Sequence, residues 1–277
     1  MVPARRVGFS VGDMPELADV EAYRRVLEES ATGRRITGVE VTDAGVLRGG
    51  LTTGRLRRSL TDARIDPPER HGKWLIMYAG GTAVLFHFGM TGRLLHVGPE
   101  EPVAAHDRVL LCLDDGGQLR FRDQRKLKGL WLAPDPGAVD RLLADQGPDA
   151  LSLTREQLEE ALDGRPRRLK ATLLDQSRVA GLGNLLTDEI LWHARIHPAR
   201  RTDRLDHAEH GRLARSLRQV LRASVKAGRV PPRRSWLTGH RDEPSGTCPR
   251  CGTTLAHGRV AGRGTVWCPR DQPAERR

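Results

Sequence analysis

Two hydrophobic periods divide this chain of 277 residues, and the change between them limits its fold more than any other feature. From Ile36 to Ala133 the apolar residues come in short strand-like runs. Trp74-Leu75-Ile76-Met77, Val84-Leu85-Phe86-His87-Phe88 and Val109-Leu110-Leu111-Cys112-Leu113 are separated by the turn pairs Gly80-Gly81 and Gly116-Gly117. Evenly spaced short strands specify a β-sandwich or barrel. One amphipathic helix precedes them, with Val20, Tyr23, Val26 and Leu27 at helical spacing between Asp19 and about Glu29. Pro134-Asp135-Pro136-Gly137 interrupts both patterns, and the period beyond it is helical. Thr154 and Gln157 have the form of a capping box ahead of Leu158, Ala161 and Leu162, and another helix is expected from about Arg167 to Gln176. In Gly181-Leu182-Gly183-Asn184 two glycines permit a tight turn, from which Asn184 can cap a helix running to about Ala194. Leu213, Leu217, Val220, Leu221 and Val225 mark a longer helix ending near Gly228. The fold class expected is α+β, an N-terminal β-sandwich with a leading helix followed by a helical domain.

Charge narrows the partners. Lys and Arg outnumber Asp and Glu by 46 to 35 and the pI is about 10.4, which points to a polyanion, with nucleic acid and acidic membrane surfaces both open on charge alone. No window approaches the roughly 18 apolar residues of a membrane span, so the chain is expected to be soluble and cytoplasmic. Three of the four cysteines fall near the C-terminus as Cys248-Pro249-Arg250-Cys251 and, after sixteen residues, Cys268-Pro269-Arg270-Asp271. Two short knuckles at this spacing can close one structural tetrahedral zinc site through Cys248, Cys251, Cys268 and Asp271, with His257 as a substitute fourth donor. A metal-free hairpin with buried thiols is the alternative. Arg263 lies among glycines at the expected hairpin tip, while Lys170 and Asn184 flank the glycine turn beside a helix N-terminus. Both places suit a phosphate, and both also suit ordinary solvated surface.

Several segments, in order, resemble the formamidopyrimidine-DNA glycosylase and endonuclease VIII family. Met14-Pro15-Glu16-Leu17-Ala18-Asp19-Val20-Glu21 is similar to its N-terminal signature, and His71-Gly72-Lys73-Trp74-Leu75 to its lysine-bearing strand. His87-Phe88-Gly89-Met90-Thr91-Gly92 and Asp123-Gln124-Arg125-Lys126-Leu127 resemble its two recognition loops. Residues 170–189 resemble its helix–two-turn–helix element, and Cys248 to Asp271 its zinc hairpin. The resemblance implies a base-excision-repair glycosylase with abasic-site lyase activity on damaged double-stranded DNA, acting as a monomer at the nucleoid. It implies Pro15 as the nucleophile, attacking C1′ of an extruded nucleotide through its free amine, and Glu16 as general acid and base. Lys73, Lys170, Asn184 and Arg263 would hold phosphates, and Met90, Arg125 and Leu127 would fill the gap in the duplex. The corresponding domains are a sandwich catalytic domain at 14–133, a linker at 134–152, a helix–two-turn–helix domain at 153–229, a second linker at 230–245 and a zinc hairpin at 246–277.

The chain departs from that pattern in three places. Thirteen residues precede Met14, and an internal proline nitrogen is an amide without nucleophilic character, so residues 1–13 are expected to be absent from the mature protein. If Pro15 stays internal, the reading becomes a lesion-binding protein that does not cut. Leu127 stands where better-known members carry an aromatic wedge, and the stretch from Gly228 to Cys248 is short, which predicts broad or altered lesion preference. Asp271 replaces a fourth cysteine. A zinc-dependent interaction module on an unrelated enzyme would account for the cysteines and the charge, but not for Pro15-Glu16 and Lys73.

Overall fold

The computed structural model describes residues 14–164 and 166–274, in two compact units. The extension expected at 1–13 lies outside the described residues. The first unit holds residues 14–15 and 19–144, and the second holds 16–18 and 145 onward.

In chain order the first unit contains α1 (Leu17–Ala31, whose first two residues belong to the second unit), β1 (Ile36–Val41), α2 (Thr53–Leu60) and β2 (Glu69–His71). It continues with β3 (Trp74–Ala79), β4 (Thr82–His87), β5 (Arg93–Val97), β6 (Asp107–Leu113), β7 (Gln118–Arg122), β8 (Gly129–Ala133) and α3 (Pro136–Leu143). The strands form two antiparallel sheets of four, ordered β1-β6-β7-β5 and β2-β3-β4-β8. Alternation along β3 explains its continuous apolar run: Leu75 and Met77 enter the main core with Phe86, Phe88 and Phe121, while Ile76 joins Leu85, Ala138 and Val139 beneath α3. Both faces of that sheet are therefore covered. Buried Asp107, bonded to Arg120 and Arg122, ties β6 to β7 from within.

Two helices of this unit were not expected. α2 shows the sequence only one apolar pair, Leu56 and Leu60, although Thr52 caps it by accepting from Arg55 N. α3 lies inside the stretch read as a linker. Pro136 sits in its first turn, where a missing N–H costs nothing, and the Asp135 side chain caps it.

The second unit contains α4 (Arg155–Leu162), α5 (Leu169–Leu174), α6 (Asn184–Ala194), α7 (His207–Ala227) and the hairpin β9 (Ala256–Val260) and β10 (Arg263–Trp267). The Thr154–Gln157 capping box makes both of its bonds. α5 is six residues long, shorter than the pattern suggested. α7 ends at Gly228, whose left-handed φ of 71° closes the cap. Leu158, Leu173, Leu186, Ile190, Leu213, Leu217 and Leu221 form the helical core, with Leu17 among them. A separate cluster of Trp192, Leu237, Leu255 and Val266 with Cys248 and Cys268 seats the hairpin.

Candidate functional site

Glu16 is tightly constrained among the expected site residues. It is 2% exposed, and its two carboxylate oxygens accept N–H bonds from Gly183 (3.1 Å), Leu185 (2.8 Å) and Leu186 (3.0 Å). These are orphan donors of the first turn of α6, whose dipole also favours an anion there. The cap assigned to Asn184 is thus made by Glu16; the cap position itself is Gly183, which offers no side chain, and Asn184 is the first helical residue. A Cβ on Gly183 would lie 2.2 Å from Glu16 Cδ, and one on Gly181 would lie 2.5 Å from Leu17 Cδ1. The two glycines leave room for residues 16 and 17 to dock, a reason beyond the tight turn read from sequence. Asn184 is half-buried, and its Oδ1 is enclosed with no hydrogen-bond partner among the described residues.

Lys170 requires a correction. It was expected at a surface phosphate, but its side chain is 0% exposed and its Nζ reaches Asp188 Oδ1 (2.6 Å), Thr265 Oγ1 (2.8 Å) and the Gly264 carbonyl (3.0 Å). An ammonium has three N–H groups, and all three are used. Asp188, also fully buried, accepts from Arg241 at 3.2 Å as well. Burial pushes the Asp188 carboxyl up and the Lys170 ammonium down, and each charge opposes that drift in the other. Physically, Lys170 braces β10 next to Arg263 instead of meeting solvent. Arg263 itself is exposed at the start of β10, after a tip in which Ala261 and Gly262 both have positive φ.

In the first unit, Lys73 occupies the turn between β2 and β3, beside Gly72 at φ 56°, and is half-buried. Its charge, with that of Lys128 and above all burial, lowers His87 to about 4. Neutral His87 accepts from Gly89 N at 3.1 Å through Nδ1, which fixes the start of the Met90 loop. Arg125 Nη1 lies 3.1 Å from Met90 Sδ, and the Arg125 amide is held by Thr91 Oγ1 and Asp123 Oδ1. An added Cβ on Gly89 would meet Leu127 Cβ at 3.6 Å, so the two loops are neighbours. Leu127 is 50% exposed, an apolar side chain presented outward. Met90, Arg125 and Leu127 are brought together.

Cys248, Cys251, Cys268 and Asp271 place one ligand atom each within 4.8 Å of one another. The Cys251–Cys268 sulfurs are 3.5 Å apart, and Cys248 Sγ is 3.7 Å from Asp271 Oδ2. A tetrahedron of Zn–S bonds near 2.3 Å needs edges of roughly 3.8 Å, so the set fits one structural zinc. Hydrogen bonding to Thr253 draws the Cys251 thiol down to about 7, while burial pushes Cys268 up to about 12; a divalent cation would hold both as thiolates. His257 is exposed on β9 and outside the cluster. Arg250, stacked 4.1 Å over Trp192, donates to Asp271 Oδ2 at 3.0 Å, and Trp192 Nε1 donates to Cys248 Sγ. These partners orient the ligands. Sequence reading missed Asp188, Arg241 and Thr265; the one available signal was the pair of carboxylates, Asp188 and Glu189, inside the apolar run of α6.

Comparison with known proteins matches the same segments. The formamidopyrimidine-DNA glycosylase N-terminal domain matches residues 14–130, the formamidopyrimidine-DNA glycosylase H2TH domain residues 146–233, and the zinc finger found in FPG and IleRS residues 246–274. The formamidopyrimidine-DNA glycosylase of Symbiobacterium thermophilum is 40% identical, covering 94% of this chain and 90% of its own. That of Heliobacterium modesticaldum is 38% identical, over 94% and 100%. Among solved structures, the Lactococcus lactis Fpg bound to abasic-site DNA superposes with a TM-score of 0.84 at 30% identity, and its complex with FAPY-dG-containing DNA with 0.85 at 28%; each covers 94% of this chain and 100% of the other.

Proposed function

This chain belongs to the formamidopyrimidine-DNA glycosylase family, and on that premise we propose that it excises oxidised or ring-opened bases from damaged double-stranded DNA and then cleaves the abasic site as a lyase. The observation that carries this reading is the seat of Glu16, a buried carboxylate fixed by three amides next to Pro15. As a free secondary amine, Pro15 has the lower basicity of an α-amine, near ~8 against ~10.4 for lysine, so part of it is unprotonated at neutral pH. Its nitrogen adds to C1′ of the extruded nucleotide, the damaged base departs, and an iminium links enzyme to sugar. Glu16 moves the protons at the sugar, and loss of the C2′ proton expels the 3′ phosphate. Lys73, Asn184 and Arg263 grip phosphates, and Met90, Arg125 and Leu127 occupy the space left in the duplex. Zinc supplies structure to the hairpin that carries Arg263, with Cys248, Cys251, Cys268 and Asp271 as its ligands.

For domain roles, the segment 14–133 carries catalysis, with Glu16 seated in the helical unit, and the helical and hairpin segments carry DNA binding. No helix among the described residues is long and apolar enough to cross a membrane, and we place the protein in the cytoplasm, on the nucleoid, as a monomer. Borohydride trapping on an abasic duplex tests the chemistry, with protein beginning at Met1 compared with protein beginning at Met14 and processed to Pro15. Cross-linking of the processed form alone supports Pro15 as nucleophile. Binding without a cross-link in either form replaces this reading with that of a lesion-binding protein that does not cut.

A further inference from the structure

From residue 210 to residue 241 the chain contains nine Lys or Arg and no Asp or Glu. The chain's formal net charge is +11, so this stretch holds most of the excess. α7 runs through it. Leu213, Leu217, Val220, Leu221 and Ser224 face the helical core, and Arg215, Arg218, Arg222 and Lys226 stand exposed on the opposite side along one shallow groove. At spacings of three, four and four residues these four share one stripe, covering about 16 Å of helix. None of the four has an ion-pair or hydrogen-bond partner among the described residues. On other helices Arg24 is matched with Glu21 and Glu28, and Arg155 with Glu159. On α7 each like-charged pair weakens the helix instead of supporting it, and the cost is offset only when an anion arrives.

We propose that this stripe of α7 is a binding surface for the phosphate backbone of duplex DNA, separate from the residues that engage the lesion and indifferent to base sequence. The inference rests on the DNA-glycosylase reading above. Three features select this occupant. Arginine guanidinium forks match phosphate oxygens and remain charged at every working pH. The stripe is straight and regular, as a phosphodiester strand presents its charges. Between the cations lie only Gln219 and Ala223, with no aromatic or large apolar side chain to anchor a protein partner or to enter a lipid interface. Such a surface holds the enzyme on undamaged DNA while it searches.

The test measures affinity for an undamaged duplex against salt, comparing the native protein with the variant Arg215→Gln, Arg218→Gln, Arg222→Gln and Lys226→Gln, and with a variant carrying lysine at all four positions. Each neutralised phosphate contributes about 0.9 to the slope of log affinity against log salt, so the glutamine variant should lose up to about 3.6 units and the lysine variant should lose little. Borohydride trapping on an abasic duplex at low salt should be equal in all three, since none of these residues belongs to the catalytic machinery. A slope unchanged by the glutamines, or one that the lysines fail to restore, overturns the proposal. Absence of trapping in the protein processed to Pro15 would defeat the glycosylase reading, while the slope on undamaged DNA would still decide the role of the stripe.

Discussion

Arg125 rests on Met90 at the end of a loop and Leu127 is half exposed beside it, whereas Glu16, Lys170 and Asp188 are each at most 2% exposed and held by several hydrogen bonds. The sheet unit offers the side chains proposed for recognition on turns between rigid strands. The helical unit instead buries charge to fix backbone: Glu16 holds the first turn of α6, and Lys170 with Asp188 and Arg241 holds β10. Buried, fully bonded charges give position, and exposed loop side chains give adaptability to what they meet. The contrast predicts different responses to substitution.

Lys170→Met should have the largest effect. It leaves Asp188 buried beside Arg241 alone, and breaking a buried pair costs about 3–5 kcal/mol. Urea unfolding should show the helical unit opening first, and a loss below about 1 kcal/mol would mean the pair is no brace. Gly183→Ala comes next. The backbone there is extended, at φ −118°, and tolerates alanine, but the new Cβ would sit 2.2 Å from Glu16 Cδ and drive the carboxylate aside. A displacement of about 1 Å costs roughly a hundredfold in rate, so kcat for abasic-site cleavage should fall that far while the melting temperature moves less.

A smaller effect concerns pH and the sheet unit. His87 is held neutral, with its value lowered from 6.5 to about 4, so the unfolded chain takes up the proton first as pH falls. Its contribution is whole above about pH 6.5, is lost progressively towards about 4, and is constant below that. Urea midpoints measured from pH 7 to pH 4 should show this decline, and His87→Gln should flatten it. Leu127→Ala is the mildest change. Stability should stay within about 0.5 kcal/mol, while affinity for a lesion duplex falls about tenfold, near the 1.4 kcal/mol that partial burial of a leucine supplies.

Where the hydrophobic period was strong, the elements were legible. β3 and β4 lie where the apolar runs put them, and the Thr154 capping box and the Gly228 cap are both formed. α2 and α3 escaped because one shows a single apolar pair and the other begins with Pro136-Gly137, a pair that ends helices as readily as it starts them. The metal cluster was legible from spacing except for the choice of Asp271 over His257, since Cys248 to Asp271 span only 24 residues of chain. Lys170 was misplaced because its partners lie 18 and 95 residues away, beyond any local pattern. The unpaired stripe on α7 needed the structure to show which of its cations lack acids.

The bonds of Glu16 span 167 to 170 residues. A growing chain emerges from the ribosome at about 5–20 residues per second, so for many seconds the N-terminal segment exists without the helix that receives it. Closing so long a loop is also a slow, high-contact-order event. On the proposed chemistry, a nascent chain therefore carries its Pro15-Glu16 segment unfinished, and cleavage can begin only when the second half of the protein has been made and folded.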